Sequence, residues 1–177
     1  MIDKNNFGNW ILGQEVHSGN NTFNTYNPIL DRPISGDYYE ATPEEVNQAV
    51  DAAANQFYEF SNLSGDRRAE FLEAIAVEIE ALGDNLIQTY CDETGLPAGR
   101  AKGERGRTLG QLRLFAAEAR RGAWQMPSVD LSIPDRSPFP KSDIRKMMLP
   151  LGPVVVFGAS NFPLAYSTAG GDTASAL

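Results

Sequence analysis

A single cysteine, Cys91, in 177 residues leaves no internal disulfide to form, which fits a reducing compartment. Histidine is as scarce: His17 is the only one, and a metal centre needs several convergent ligands. Positive charge is short as well, with 15 Lys and Arg against 23 Asp and Glu and a formal net charge of −8. That balance argues against nucleic acid or an anionic membrane as partner, since both need clustered basic side chains. No apolar run approaches the length of about 18 residues that a membrane span needs, and the amino terminus has no signal-like apolar region. Neither insertion nor secretion is indicated, and a cytoplasmic protein is expected. The glycine patterns of phosphate-binding loops, G-x-G-x-x-G and G-x-x-x-x-G-K-[ST], do not occur. What the chain does have is 42% hydrophobic residues over a length suited to one domain, enough for a real core.

Taken in order, Asn9–Leu12 and Thr22–Asn27 read as short strands around the turn-rich His17-Ser-Gly-Asn-Asn21, where His17 reads as a solvated loop residue. Asn27-Pro28 and Asp31-Arg-Pro33 break the chain into turns. Thr42-Pro-Glu-Glu45 then predicts a helix start: Thr42 at the N-cap, Pro43 at the first position and Glu45 closing a capping box. Val46, Ala49, Val50, Ala53, Phe57 and Phe60 follow at three- and four-residue steps and give one apolar face. Ser64 caps a second helix with the stripe Ala69, Leu72, Ile75, Ala76, Ile79 and Leu82. A third covers roughly 84–94, stopped by Gly95 and Pro97. Cys91 lies in it near Leu86, Ile87 and Tyr90 and beside Asp92 and Glu93, which oppose thiolate formation, so a structural cysteine is expected.

A longer, charged helix runs from Leu96 to Arg121, with Arg100, Glu104, Arg107 and Gln111 on one face by spacing. Read from the residues, this is an ion-paired surface stripe. The period changes after Trp124: Val129, Leu131 and Ile133 alternate with Ser128, Asp130 and Ser132. Three prolines mark a loop, and Ile144–Leu149 reads as the return strand. Such a ribbon is marginal alone, so it is expected to pair with another chain or a later segment.

The last stretch organises the rest. Val154–Phe157 is a continuous apolar run, as expected of a parallel strand buried on both faces. Small residues Gly158, Ala159 and Ser160 follow, then Asn161, then Pro163 in the place suited to a helix start. Asn161 is thereby expected at the carboxyl end of a strand, where open α/β sheets bind ligands. No second apolar strand is available to pair with Val154–Phe157, and Thr173–Leu177 reads as a helix without a cap. The simplest expectation is the amino-terminal part of a chain more than twice as long. A self-contained helical module that binds partners through its ribbon is the alternative.

The string Phe-Gly-Ala-Ser-Asn-Phe-Pro-Leu-Ala-Tyr-Ser-Thr-Ala-Gly-Gly-Asp-Thr from Phe157, and Phe23-Asn-Thr-Tyr-Asn-Pro28 before it, resemble the aldehyde dehydrogenase superfamily. The wording is closest to the branch of 2-oxoglutarate semialdehyde dehydrogenases and NADP-preferring fatty aldehyde dehydrogenases. The resemblance implies an α/β fold with an amino-terminal ribbon and helices (1–123), an oligomerisation arm (124–149) and the first strand and helix of a Rossmann-like sheet (150–177). It implies oxidation of an aldehyde with NADP or NAD, in a homo-oligomer built through 124–149, and succinate semialdehyde or a fatty aldehyde as alternative substrates. Asn161 becomes the donor to the oxyanion. Phe157, Gly158, Ala159 and Ser160 pass the nicotinamide half of the cofactor, and Phe162, Tyr166 and Ala169 face the aldehyde tunnel. Arg107, with Arg100 as a second candidate, becomes a partner for a substrate carboxylate. The nucleophilic cysteine and general-base glutamate are expected beyond Leu177, so turnover by these 177 residues alone is not expected.

Overall fold

The computed structural model describes residues 6–177 and is mixed α/β, with five helices and four small sheets. The amino-terminal ribbon is made of very short strands. β1 (Asn6–Phe7) pairs parallel with β7 (Asp37–Tyr39), which also pairs antiparallel with β4 (Thr22–Phe23). β2 (Asn9–Ile11) and β3 (Gln14–Val16) form a hairpin, and β5 (Tyr26–Asn27) pairs with β6 (Arg32–Pro33). The expected single strand over 22–27 is thus broken in two. Asn24 turns its amide onto the Gly36 carbonyl (2.7 Å) and the Asp37 carboxylate (2.9 Å), and residues 24–25 lie outside the strands. His17 is exposed, as expected, with its ring 5.1 Å from Tyr39.

Helix α1 (Pro43–Ser61) opens with the full capping box: Thr42 Oγ1 accepts from the Glu45 amide, and Glu45 accepts from the Thr42 amide at 3.0 Å. Glu45 also accepts from the Ser18 amide at 2.8 Å, which ties the ribbon to the helix. Those backbone hydrogen bonds hold its carboxyl below the ordinary range. The apolar face expected for α1 is covered only at its end. Phe57 and Phe60 are half-buried, whereas Val46, Ala49, Val50 and Ala53 are exposed. The periodicity is correct, but the described residues place little over that face.

The core is the seam between α2 (Gly65–Ala81) and α4 (Ala98–Arg121). Ala69, Leu72 and Ala76 pack against Leu109, Leu112, Ala116 and Ala119, flanked by Ile75, Ile79 and Phe115. Alanines at most of these positions let the helices approach closely, and Leu72 and Leu112 fill the space between. Charges flank the seam, with Arg120 forked onto Glu73 at 2.5 and 2.7 Å and Arg113 on Glu80 at 2.7 Å. Helix α3 (Gly83–Thr94) adds a second cluster of Ile87, Tyr90 and Ala101, against which Cys91, Leu96 and Leu164 pack. Gly95 ends α3 in the left-handed conformation (φ 71°) that glycine adopts without strain.

A short 3-10 turn (Ala123–Gln125) leads into the arm, where β8 (Ser128–Asp130) pairs antiparallel with β9 (Ile144–Lys146). Val129, Leu131, Ile133 and Ile144 are all exposed.

The tail differs from expectation in two respects. Val154–Phe157 forms no strand, and Val155 and Phe157 are 71% and 85% exposed. A strand needs a ladder partner, and no described segment pairs with this one, so Asn161 does not lie at a strand end as expected. The expected helix from Pro163 is a series of turns as far as Gly170, with α5 (Gly171–Ala176) forming only afterwards. Gly170 explains the break: a Cβ there would stand 2.5 Å from the Ala165 carbonyl oxygen, so the chain doubles back where only glycine fits.

Candidate active site

The segment 159–166 is a closed turn. The Ala159 amide donates to the Tyr166 carbonyl at 2.8 Å, and the Tyr166 amide donates to the Phe162 carbonyl at 3.0 Å. Asn161 sits at its tip, exposed, and its side-chain amide makes no hydrogen bond among the described residues. Its backbone carbonyl is held instead, by Arg100 Nη2 at 2.7 Å. The carboxamide is thus presented outward from a fixed backbone.

Helix α4 does the fixing, and the residue at the centre is Glu104. Its carboxylate is buried and accepts four hydrogen bonds. Tyr90 Oη (2.8 Å) and Arg100 Nε (3.0 Å) donate to Oε1, and the backbone amides of Leu164 (3.1 Å) and Ala165 (3.2 Å) donate to Oε2. Those two amides open the turn that Pro163 starts, where backbone N–H groups lack local acceptors. The Thr108 hydroxyl adds a contact at 3.2 Å to the Leu164 carbonyl. Desolvation is the strongest single influence on the Glu104 carboxyl and pushes its pKa up. The hydrogen bonds from Tyr90, Leu164, Arg100 and Ala165 together outweigh it, and the group is held below the ordinary range. Tyr90 is pushed up, by burial first and then by its bond to Glu104.

Sequence spacing places Arg100, Glu104 and Arg107 on one face as an ion-paired surface stripe, and the structure corrects this for Glu104. A signal for its burial exists in the sequence: Ala101, Glu104, Thr108 and Leu112 recur at three- and four-residue steps, and all four are buried. A carboxylate on an apolar stripe needs partners to be there, and here two come from α3 and α4 and two from the Asn161 turn.

Arg100 and Arg107 flank the turn differently. Arg100 is committed, bonded to Glu104 and to the Asn161 carbonyl and lying 5.1 Å from the Phe162 ring centre. Arg107 is exposed, lies 5.1 Å from the Tyr166 ring centre and donates to the Tyr166 hydroxyl, with no carboxylate partner among the described residues. Phe162 and Tyr166 meet edge to face at 5.6 Å, one turn apart as the spacing predicts, and Ala169 is half-buried further on. Phe157, Gly158, Ala159 and Ser160 are all exposed beside the turn. Cys91 packs in the cluster that includes Leu164.

An apolar cleft of about 540 Å³ opens elsewhere, at the end of the α2–α4 seam, lined by Phe57, Phe60, Leu72, Phe115, Trp124 and Leu151. Arg68 stacks on Phe60 and Trp124 at its rim. The described residues include no cluster of three or more His, Cys, Asp or Glu able to hold a metal ion, and no described helix is long and apolar enough to cross a membrane.

Residues 15–177 match the aldehyde dehydrogenase family, and the chain belongs to it. Two relatives are alpha-ketoglutaric semialdehyde dehydrogenases. That of Acinetobacter baylyi is 44% identical over 99% of this chain, and the second such enzyme of Azospirillum brasilense is 49% identical over 96%. The chain spans 34% and 33% of their lengths, about a third of each. Among solved structures, proline utilization A from Bdellovibrio bacteriovorus superposes over 96% of this chain and 17% of its own, with a TM-score of 0.77 at 24% identity, a likeness of fold. A betaine aldehyde dehydrogenase from Staphylococcus aureus in complex with NAD+ covers 72% of this chain and 26% of its own, at a TM-score of 0.64 and 25% identity.

Proposed function

We propose that this chain is the amino-terminal portion of an NAD(P)-dependent aldehyde dehydrogenase that oxidises an acidic semialdehyde, 2-oxoglutarate semialdehyde, to the carboxylate. The observation that carries the reading is the Asn161 carboxamide, free and exposed on a turn whose backbone is fixed from beneath, with the exposed Arg107 on the same patch. The high identity to the two semialdehyde dehydrogenases supports the substrate class.

When a nucleophile adds to an aldehyde carbon, the carbonyl oxygen takes on negative charge. Asn161 Nδ2 would donate to that oxygen, a stabilisation worth about 3–4 kcal/mol for one well-placed donor. A pre-fixed donor is effective because no reorganisation is needed as the charge develops. Arg107 would hold the distal carboxylate, since a guanidinium keeps several donors after the one given to Tyr166. Phe162, Tyr166 and Ala169 would form the wall between them. Arg100 has a weaker claim as a substrate ligand, because its guanidinium is already bonded within the protein.

Phe157, Gly158, Ala159 and Ser160 would hold the nicotinamide half of the cofactor, NADP or NAD, which supplies the hydride acceptor. They fit that part: the edge is exposed and nearly free of side chains after Phe157, and a Cβ at Gly158 would come 3.3 Å from the Tyr166 carbonyl. The exposed apolar residues of the arm, 124–149, support homo-oligomerisation through that segment.

The test is a substrate panel on the full-length polypeptide, followed by reduction of NAD+ or NADP+. The reading expects 2-oxoglutarate semialdehyde to be turned over with a kcat/KM at least ten times that for a neutral aldehyde of equal length. Preference for the neutral aldehyde would contradict it.

A further inference from the structure

We infer that Glu104 is the positioning residue of the site: it sets the orientation of Asn161 by clamping the turn that carries it. The inference rests on the reading of Asn161 as oxyanion donor and adds to it the element that aims that donor.

The argument begins with burial. Glu104 is 5% exposed, and a carboxylate in that position destabilises the fold unless its oxygens are filled. One oxygen is filled from within the helical layer, by Tyr90 and Arg100. The other is filled only by the amides of Leu164 and Ala165, sixty residues on in the chain. The carboxylate therefore joins α3 and α4 to the turn through a single planar group. Arg100 closes the loop of contacts, because it is oriented by Glu104 through Nε and grips the Asn161 carbonyl through Nη2. Both ends of the segment 161–165 thus refer to one carboxylate: the Asn161 end through Arg100, the Leu164–Ala165 end directly. Asn161 itself has no other described side-chain tether. Displacement of a donor by about an ångström is enough to forfeit much of its value in a transition state.

Substitution by glutamine keeps the size and removes the charge. The introduced carboxamide has one acceptor oxygen for two groups of donors, and its NH2 would face either the two backbone amides or Tyr90 and Arg100. The experiment is a double-mutant cycle on the full-length enzyme with Glu104→Gln, Asn161→Ala and the double variant, each followed by kcat, KM and thermal midpoint. If Glu104 acts through Asn161, Glu104→Gln alone lowers kcat by at least tenfold with KM within about twofold. The double variant is then no slower than Asn161→Ala within about twofold, because the donor being aimed is already gone. Multiplying losses in the double variant, or a Glu104→Gln enzyme with unchanged kcat, would overturn the inference. An Asn161→Ala enzyme with wild-type kcat would instead overturn the oxyanion reading, so the two failures are told apart. Should Glu104→Gln not yield folded protein, Thr108→Val removes the neighbouring contact to the Leu164 carbonyl without changing shape. It must then show the same kcat-only, non-multiplying pattern, at a smaller size, and a silent Thr108→Val would overturn the inference in that case.

Discussion

Replacing Arg107 with methionine should separate acidic from neutral aldehydes. The side chain is exposed and lies on α4 with its guanidinium over Tyr166, to whose hydroxyl it donates. That contact uses one of its five donors. A hydrogen bond to a charged group contributes about 1.5–3 kcal/mol. The exposure of Arg107 places the expected value at the lower end, since solvent and salt screen such pairs. About 1.5 kcal/mol corresponds to a tenfold loss. Arg107→Met should therefore raise KM for the acidic semialdehyde by roughly tenfold, and leave KM for a neutral aldehyde of the same length within about twofold. Methionine preserves the stem and its packing on Tyr166, so the comparison isolates charge. The wild-type preference for the acidic substrate should also weaken as salt rises from low to physiological strength, and the variant should lose that dependence. The assay is steady-state reduction of the cofactor with both aldehydes at two ionic strengths. Equal effects on the two substrates would refute the reasoning and return Arg107 to a surface charge.

Three further outcomes follow from the fold. Leu72→Ala, at a site 1% exposed in the α2–α4 seam, should cost about 2–5 kcal/mol of stability, read as a lowered denaturant midpoint; a loss under about 1 kcal/mol would mean the seam is not the core. Thr42→Ala removes the N-cap acceptor of α1 and should cost about 1 kcal/mol, with a silent variant contradicting the capping assignment. The pH dependence has a definite sign, because Glu104 and Glu45 are both held below the ordinary glutamate range by the hydrogen bonds they accept. Each contributes stability that is present above the unfolded-state pKa and is lost as pH falls through the lowered folded-state value. Thermal midpoints should thus be level with respect to these groups above the ordinary glutamate range and fall below it. Glu104→Gln should make that acid-side fall shallower, and an unchanged slope would count against the buried, bonded carboxylate.

Much of this was legible in the residues. The capping box at Thr42, the stripe of α2 and the glycine stop at Gly95 are local signals, and local geometry carried them through. The turn bearing Asn161 was also readable from Gly158 to Pro163, because small residues and a proline constrain the backbone within a few bonds. What failed depended on partners distant in the chain. Val154–Phe157 has the composition of a buried strand, but a strand needs a ladder partner, and no described segment pairs with it. Val46 and Val50 likewise carry an apolar face with little set over it. Glu104 failed in the opposite direction: its charge suggested the surface, while its position on the stripe with Ala101 and Thr108 indicated burial. The four hydrogen bonds that it accepts, two of them from amides sixty residues away, explain how both can hold.

The central claim is that Asn161 supplies a pre-fixed donor to the developing oxyanion, and Asn161→Ala in the full-length enzyme tests it most directly. The side chain is exposed and bonded to nothing described, so the thermal midpoint should stay within about 1 °C of wild type, in line with a substitution that removes no packing. The account predicts a fall in kcat of about 10²- to 10³-fold with KM little changed. A variant that keeps its kcat within a few-fold of wild type would contradict it.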